Sequence, residues 1–295
     1  MADSEIGAIR AALAAKPRPA DLAERRARLD AIGRQYPLPA DVRVEPVSAG
    51  GVRAEWLTTP AASADRAVVF LHGGGYISGS LDSHRHLSAE LGRACGARAL
   101  AVDYRRAPEN PFPAAHDDVF AAYRWLLEQG LAPGRIAVVG ESAGGGLTVA
   151  LLAGARAAGL PPPACATCIA PWVDLADSAP SYAEKDAVDP LIHKGYLDEL
   201  AGLYLQGASV TDPRASPIHA DLAGLPPLLI HVGSCETLLD DAVGLARRAG
   251  AAGVDVTLRI WPGMIHAFPL WFPQLAEGRA AIAETAAFVR RHMAD

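Results

Sequence analysis

Positive charge is in short supply in this chain. Lys and Arg number 27 against 33 Asp and Glu, for a net charge of −6. Nucleic-acid binding leaves a basic footprint, and none is present. Long apolar runs are missing as well. No stretch approaches the ~20 residues that a membrane helix needs, so stable membrane insertion is not expected. The opening Met-Ala-Asp-Ser-Glu5 lacks the basic start of a secretory signal. The expected location is the cytoplasm. Cysteine is limited to Cys95, Cys165, Cys168 and Cys235. Cys165-Ala-Thr-Cys168 has the spacing of a redox pair or half a zinc site. It lies in a strand-like run, where side chains three apart point to opposite faces. No second Cys pair completes a zinc site, so buried thiols are expected, with no metal. No internal repeat or low-complexity tail is present.

Apolar residues are plentiful, at 51% of 295. That supports a large core, and one α/β domain of ~250 residues is ordinary. Apolar runs suggest strands near 67–71, 98–103, 135–139, 165–170, 227–233 and 254–260. Helical patterns near 83–95, 115–129, 144–157, 238–252 and 276–293 separate them. Strands alternating with helices predict a mostly parallel sheet with right-handed crossovers. Residues 42–58 alternate around Ala49-Gly50-Gly51, which signals an antiparallel hairpin. Residues 1–36 are Ala/Arg-rich and helix-like, with breakers at Pro17 and Pro19. Between Ala170 and Pro227 lie more than fifty residues that break the rhythm. So long an excursion is more often a functional insertion than a linker.

The most informative segment is Gly140-Glu-Ser-Ala-Gly144, placed between the strand-like Arg135–Val139 and a helical stretch. A serine on a strand-to-helix turn is strained, with its hydroxyl exposed. Glycines two residues either side allow the close chain approach that this turn needs. Seventy residues upstream, the strand Val68–Leu71 runs into His72-Gly-Gly-Gly-Tyr76. A Gly-rich loop after a strand exposes N–H groups that can bind phosphate or an oxyanion. No Lys-Ser/Thr pair follows, so the phosphate reading is weak. The N–H groups of Gly73, Gly74 and Ala143 fit an oxyanion hole serving Ser142.

In the order serine, acid, histidine, five histidines lie downstream. His231 falls inside a strand. His193 and His219 lie in irregular, Pro-containing surroundings. His292 is at the C-terminus, a poor place for fixed geometry. His266, in a loop just past the strand-like Val254–Trp261, is the expected base. The acid is Glu236, Asp240 or Asp241, all after the strand Pro227–Gly233. Glu236 is nearest the strand end and is preferred. The aspartates fall where a helix begins, and its dipole accounts for acids there. His84 and His86 are expected to open a solvated helix rather than touch the pocket. Asp103, Arg105 and Glu109 are read as a structural network behind the oxyanion loop, and Asp117 and Asp118 as helix-dipole partners.

Nearly the whole chain resembles the bacterial hormone-sensitive-lipase-like esterases (family IV carboxylesterases) of the α/β-hydrolase fold. The matching stretches are His72–Tyr76, Asp103–Glu109 with Pro111–Ala114, Gly140–Gly145, Asp212-Pro213 with Ser216-Pro217, and Trp261–Phe268. The resemblance implies a triad of Ser142, Glu236 and His266, and an oxyanion hole of Gly73, Gly74 and Ala143. Three positions depart from the family pattern. Glu236 stands where Asp is commoner, Glu141 where Asp or Thr is usual, and Arg106 where Leu is usual. The implied fold is a mostly parallel eight-stranded sheet flanked by helices, with a helical cap. Residues 1–36 and 175–215 would form the cap, and 37–174 and 216–295 the core. Tyr76, Tyr182, Tyr196 and Ile265 are candidate substrate contacts, although packing of the cap onto the body explains such residues as well. The implied activity is hydrolysis of short-to-medium acyl esters through an acyl-enzyme, without a cofactor. A lactone hydrolase using the same triad is the alternative. A non-catalytic small-molecule binder is disfavoured by the presence of His266. Family members often pair through the last strand and its flanking helix, so a homodimer is a further expectation.

Overall fold

The computed structural model describes residues 2–16 and 18–293 of the chain. Pro17, expected as a breaker, lies outside them. Two helices come first, α1 (Ala2–Ala14) and α2 (Leu22–Arg34). Asp21 caps α2, its side chain accepting the Glu24 N–H, as an N-cap acid should. The hairpin follows as β1 (Arg43–Ala49) and β2 (Val52–Thr58), paired antiparallel across Gly50-Gly51.

Then strands and helices alternate: β3 (Ser63–Leu71), α3 (Leu81–Cys95), β4 (Ala97–Val102), α4 (Ala114–Glu128), β5 (Ile136–Glu141), α5 (Ala143–Ala157) and β6 (Cys165–Ile169). The long excursion carries α6 (Ser181–Glu184) and α7 (Lys194–Leu205). It is followed by β7 (Leu228–Gly233), α8 (Leu239–Ala251), β8 (Val256–Trp261) and α9 (Ala276–His292). The eight strands form one sheet in the order β1-β2-β4-β3-β5-β6-β7-β8. Only β2 runs antiparallel to its neighbours; from β4 to β8 all pairs are parallel.

Both faces of the sheet are covered, so the central strands are mostly apolar. Val69, Leu71, Val138 and Ile230 enter one core, while Val68, Phe70, Val139 and Leu229 enter the other. The same alternation separates Cys168 from Cys165, one in each core. Both are free thiols. Among the described residues, no helix is long and apolar enough to cross a membrane.

Candidate active site

Ser142 alone makes the turn from β5 to α5. Its backbone lies at φ 55°, ψ −119°, a region that costs of order 1–3 kcal/mol. The neighbourhood holds it there. Ser142 N–H donates to Ile169 C=O (2.8 Å), and Ser142 C=O accepts from Gly146 and Trp172 N–H (both 3.1 Å). A Cβ on Gly140 would overlap the Gly144 carbonyl, and one on Gly144 would overlap the Leu71 carbonyl. The glycine spacing in the sequence is therefore a packing requirement.

His266 sits in the loop after β8. Its Nε2 is 2.9 Å from Ser142 Oγ, within reach for proton transfer. The loops after β7 and β8 are tied together by Ser234 N–H to Trp261 C=O (2.9 Å) and Cys235 N–H to Met264 C=O (3.0 Å). This brings Glu236 Oε1 to 3.8 Å from His266 Nδ1. The separation is an ion-pair distance, longer than a hydrogen bond. Both facing atoms are buried with no other hydrogen-bond partner. Each such orphan costs roughly 1–3 kcal/mol, so a small approach of the two satisfies both. Glu236 Oε2 accepts the Gly233 N–H at 3.2 Å.

Burial pushes the His266 imidazole down. The Glu236 carboxylate, then Glu141 and Asp189, outweigh that and raise it to about 9. Burial also raises the Glu236 carboxyl, against the opposing pull of His266.

The two aspartates face elsewhere. Asp241 accepts Val173 N–H (2.7 Å), Asp174 N–H (3.0 Å) and the Tyr182 hydroxyl (2.5 Å). Burial pushes its carboxyl up to about 8, against those donors. Asp240 accepts Ser181 N–H at 2.9 Å. Both pin the excursion onto α8, while the carboxylates within 4 Å of His266, among the described residues, are Glu141 and Glu236.

Ser142 and His266 open into a cavity of about 440 Å³. Gly74 and Gly75 border it beside them. Leu13, Leu29 and Ile32 form one wall, and Leu191, Tyr196 and Leu200 another. Gly74 has φ 121°, and a Cβ there would overlap the Ser78 carbonyl. Among the described residues, the N–H groups of Gly73, Gly74 and Ala143 donate to no loop carbonyl. Tyr104 hydroxyl donates to His72 C=O and Arg106 Nη1 to Gly79 C=O, each at 2.7 Å. The unusual Arg106 thus braces the Gly-rich loop after β3.

Several expectations need correction. Of the four candidate substrate contacts, Tyr196 lines the cavity, but Tyr76, Tyr182 and Ile265 do not. Tyr76 stacks on Tyr204 with centroids 3.9 Å apart. Tyr182 spends its hydroxyl on Asp241. Ile265 is fully buried in the core beneath the sheet. Asp118 pairs with Arg105 (2.7 Å) rather than serving the helix dipole. Asp103 pairs with Arg53 (3.0 Å) and Glu109 with Arg26 (2.7 Å), so with Arg105–Asp118 these are three separate ion pairs rather than one network.

The largest correction concerns His84 and His86. Neither is solvated; both are buried. His86 Nε2 lies 2.9 Å from Leu270 C=O. His84 borders the cavity, with Nε2 2.8 Å from Glu141 Oε2. In the sequence Glu141 stands out only as a departure from the family pattern, which does not reveal this pair. Its only signal was a titratable residue beside the serine.

Residues 68–270 match the family model described as the alpha/beta hydrolase fold. An acetyl-hydrolase of Streptomyces hygroscopicus is 50% identical over 252 residues, covering 85% of this chain and 83% of the relative. An ethyl acetate hydrolase of Pseudomonas putida is 40% identical over 222 residues, covering 70% and 67%. The crystal structure of an esterase from the bacterial hormone-sensitive lipase family superposes with a TM-score of 0.95 at 45% identity, covering 99% of this chain and 98% of that one. The chain therefore belongs to the bacterial hormone-sensitive-lipase-like esterases of the α/β-hydrolase fold and is a carboxylic ester hydrolase.

Proposed function

We infer that the enzyme hydrolyses short-to-medium acyl esters with Ser142 as nucleophile, His266 as base and Glu236 as its carboxylate partner. The observation that carries this is the 2.9 Å contact of His266 Nε2 with Ser142 Oγ inside the cavity. His266 takes the hydroxyl proton as Oγ attacks the ester carbonyl. The oxyanion is held by N–H groups of Gly73, Gly74 and Ala143, where each donor is worth about 3 kcal/mol. His266 then returns the proton to the leaving alcohol, and water repeats the cycle on the acyl-enzyme. Glu236 holds the tautomer with Nδ1–H toward itself and balances the imidazolium.

Residues 1–36 and 175–215 act in this reading as a cap over a core of 37–174 and 216–295. Support comes from Leu13, Leu29, Leu191 and Leu200, which wall the cavity from those two segments. A series of p-nitrophenyl esters from acetate to decanoate tests both points. Wild type is expected to favour the short end. Leu200→Ala should raise kcat/KM for octanoate over acetate by about tenfold, the size of effect a pocket methylene commands. A long-chain optimum in wild type would overturn the short-chain reading, and an unchanged ratio in Leu200→Ala would overturn the cap's role.

A homodimer through β8 and its flanking helix is part of the same reading. Support lies in the edge position of β8 and in Ile260, 42% exposed there. Exposed apolar side chains on a free edge invite pairing. Light scattering should give a dimer mass, and Ile260→Glu a monomer; a wild-type monomer would overturn it. The free thiols suit a reducing compartment, so a cytoplasmic location is retained; recovery in the secreted fraction would contradict it.

A further inference from the structure

Glu141 is 3% exposed and stands between two histidines. Its Oε2 is 2.8 Å from His84 Nε2, and its Oε1 is 3.8 Å from His266 Nε2. The far side of His84 is fixed too. His84 Nδ1 is 2.7 Å from Ser83 Oγ. That oxygen accepts Ser80 N–H (2.8 Å) and lies 2.9 Å from Ser80 C=O.

Counting protons restricts what this chain of contacts can be. Ser83 has one hydroxyl hydrogen, given either to His84 Nδ1 or to Ser80 C=O. In the first arrangement, His84 carries its hydrogen on Nε2 and donates it to Glu141 Oε2. In the second, Nδ1–H donates to Ser83 Oγ, and the 2.8 Å contact still needs a hydrogen between Nε2 and Oε2. Either way, one proton lies between His84 and Glu141. Oε2 is thereby engaged, and Oε1 remains directed at His266.

The oxyanion loop crosses the same carboxylate. A Cβ on Gly73 would lie 2.5 Å from Glu141 Oε2. A carboxylate so close to a developing oxyanion works against the reaction unless its charge is drawn away. The proton shared with His84 draws it away on the loop side. The other oxygen keeps its attraction for the imidazole.

We propose that Glu141 is a positioning residue for His266: anchored by His84, it holds the imidazole in line with Ser142 and steadies the imidazolium from the Nε2 side. This rests on the Ser142–His266 reading above. Glu141 takes no proton in the cycle. The Ser142 proton goes to His266 Nε2 and from there to the leaving alcohol. The effect is a second carboxylate on the base, complementing Glu236 on the Nδ1 side. The charged groups that raise the basicity of His266 are Glu236 from the β7 loop, Glu141 from β5 and Asp189 from the excursion; His84 and His72 lie behind Glu141. His72 lies with its ring centroid 5.7 Å from that of His84.

The test is the pH profile of kcat/KM for p-nitrophenyl butyrate in wild type, Glu141→Gln, Glu141→Asp and His84→Gln. A base must lose its proton to act, so activity rises with pH through the His266 value, raised to about 9 in the wild type. Glu141→Gln removes one of the charges that raise it. Its limb should move down by about one pH unit, the equivalent of a tenfold change in proton affinity. kcat should fall about tenfold, with KM within twofold. Glu141→Asp keeps the charge and should return the limb toward wild type.

His84→Gln leaves the carboxylate less engaged, so its limb should move up. Limbs that stay put in both Glu141→Gln and His84→Gln, with activity lost only in step with Tm, would overturn the proposal. If Glu141→Gln does not fold, His84→Gln decides alone. Fluorophosphonate labelling separates this from the parent reading. Ser142 labelled with an unmoved limb sinks the Glu141 role, whereas no label on Ser142 sinks the nucleophile assignment itself.

Discussion

Ser142→Ala is expected to leave a folded protein whose kcat on p-nitrophenyl butyrate is down on the order of 10⁶-fold, the loss typical of removing a triad nucleophile. The hydroxyl 2.9 Å from His266 Nε2 is the only part of the side chain that alanine lacks. The turn keeps its backbone bonds to Ile169, Gly146 and Trp172. Alanine also keeps the strain at φ 55°, because both residues carry a Cβ. Tm should therefore shift by less than about 1 kcal/mol worth of stability, as for a surface-like change. Initial rates beside circular-dichroism melts settle the matter. Turnover within a hundredfold of wild type, from protein free of wild-type enzyme, would remove Ser142 from the mechanism.

Glu236→Gln should be the next most damaging change, with kcat down about 10⁴-fold, as when a triad carboxylate becomes an amide. The amide is the same size but can present N–H₂ to His266 Nδ1, which selects the wrong tautomer. It also removes the charge that balances the imidazolium. Stability should move the other way. The carboxylate is fully buried, with Oε1 lacking a hydrogen bond, and an amide costs less to bury than a charge. A variant with lost activity and undiminished Tm is the expected signature. Asp241→Asn is the control. Its carboxylate organises Val173, Asp174 and Tyr182, so it should lower Tm while kcat stays within a few fold. The opposite pattern, kcat lost in Asp241→Asn and kept in Glu236→Gln, would exchange the two assignments.

The legible parts of this chain were those enforced by local sterics. Gly140 and Gly144 announce the turn because no side chain fits against Leu71 or across the turn. The central strands, Ala67–Leu71 of β3 with β5, β6 and β7, are buried on both faces, so each reads as a mostly apolar run, whereas the edge strand β8 alternates, with Arg259 and Ile260 exposed. Glu236 could be preferred over the aspartates because a helix start explains Asp240 and Asp241 without reference to His266. The illegible parts depend on what another segment covers. Ser83-His-Arg-His86 is polar enough to suit a solvated helix. The structure buries it against distant segments: Tyr36 and Phe272 cover His86, and Phe70, His72 and Glu141 cover His84, while α2 lies against the first turn of α3. A Cβ on Gly33 would overlap the carbonyls of Asp82 and Ser83. No property of residues 83–86 alone reports that contact. Tyr76 and Tyr182 were misread for the same reason, since their partners, Tyr204 and Asp241, lie far along the chain.

The cavity draws its proposed reacting groups and its walls from different parts of the chain. Ser142, Glu236 and His266 all follow strand ends of a single sheet, β5, β7 and β8. Most of the apolar wall comes from the first 36 residues and from the excursion between β6 and β7, with Ala267, Leu270 and Trp271 added from the loop after β8. The wall residues from those two segments lie on helices and loops, none on a strand of the sheet. Under selection, the two sets are free to change at different rates. Mutations in the walls alter which acyl groups are admitted, while the strand ends preserve the reaction. A chain built this way can acquire a new substrate range by replacing surface segments and inherit its chemistry unchanged.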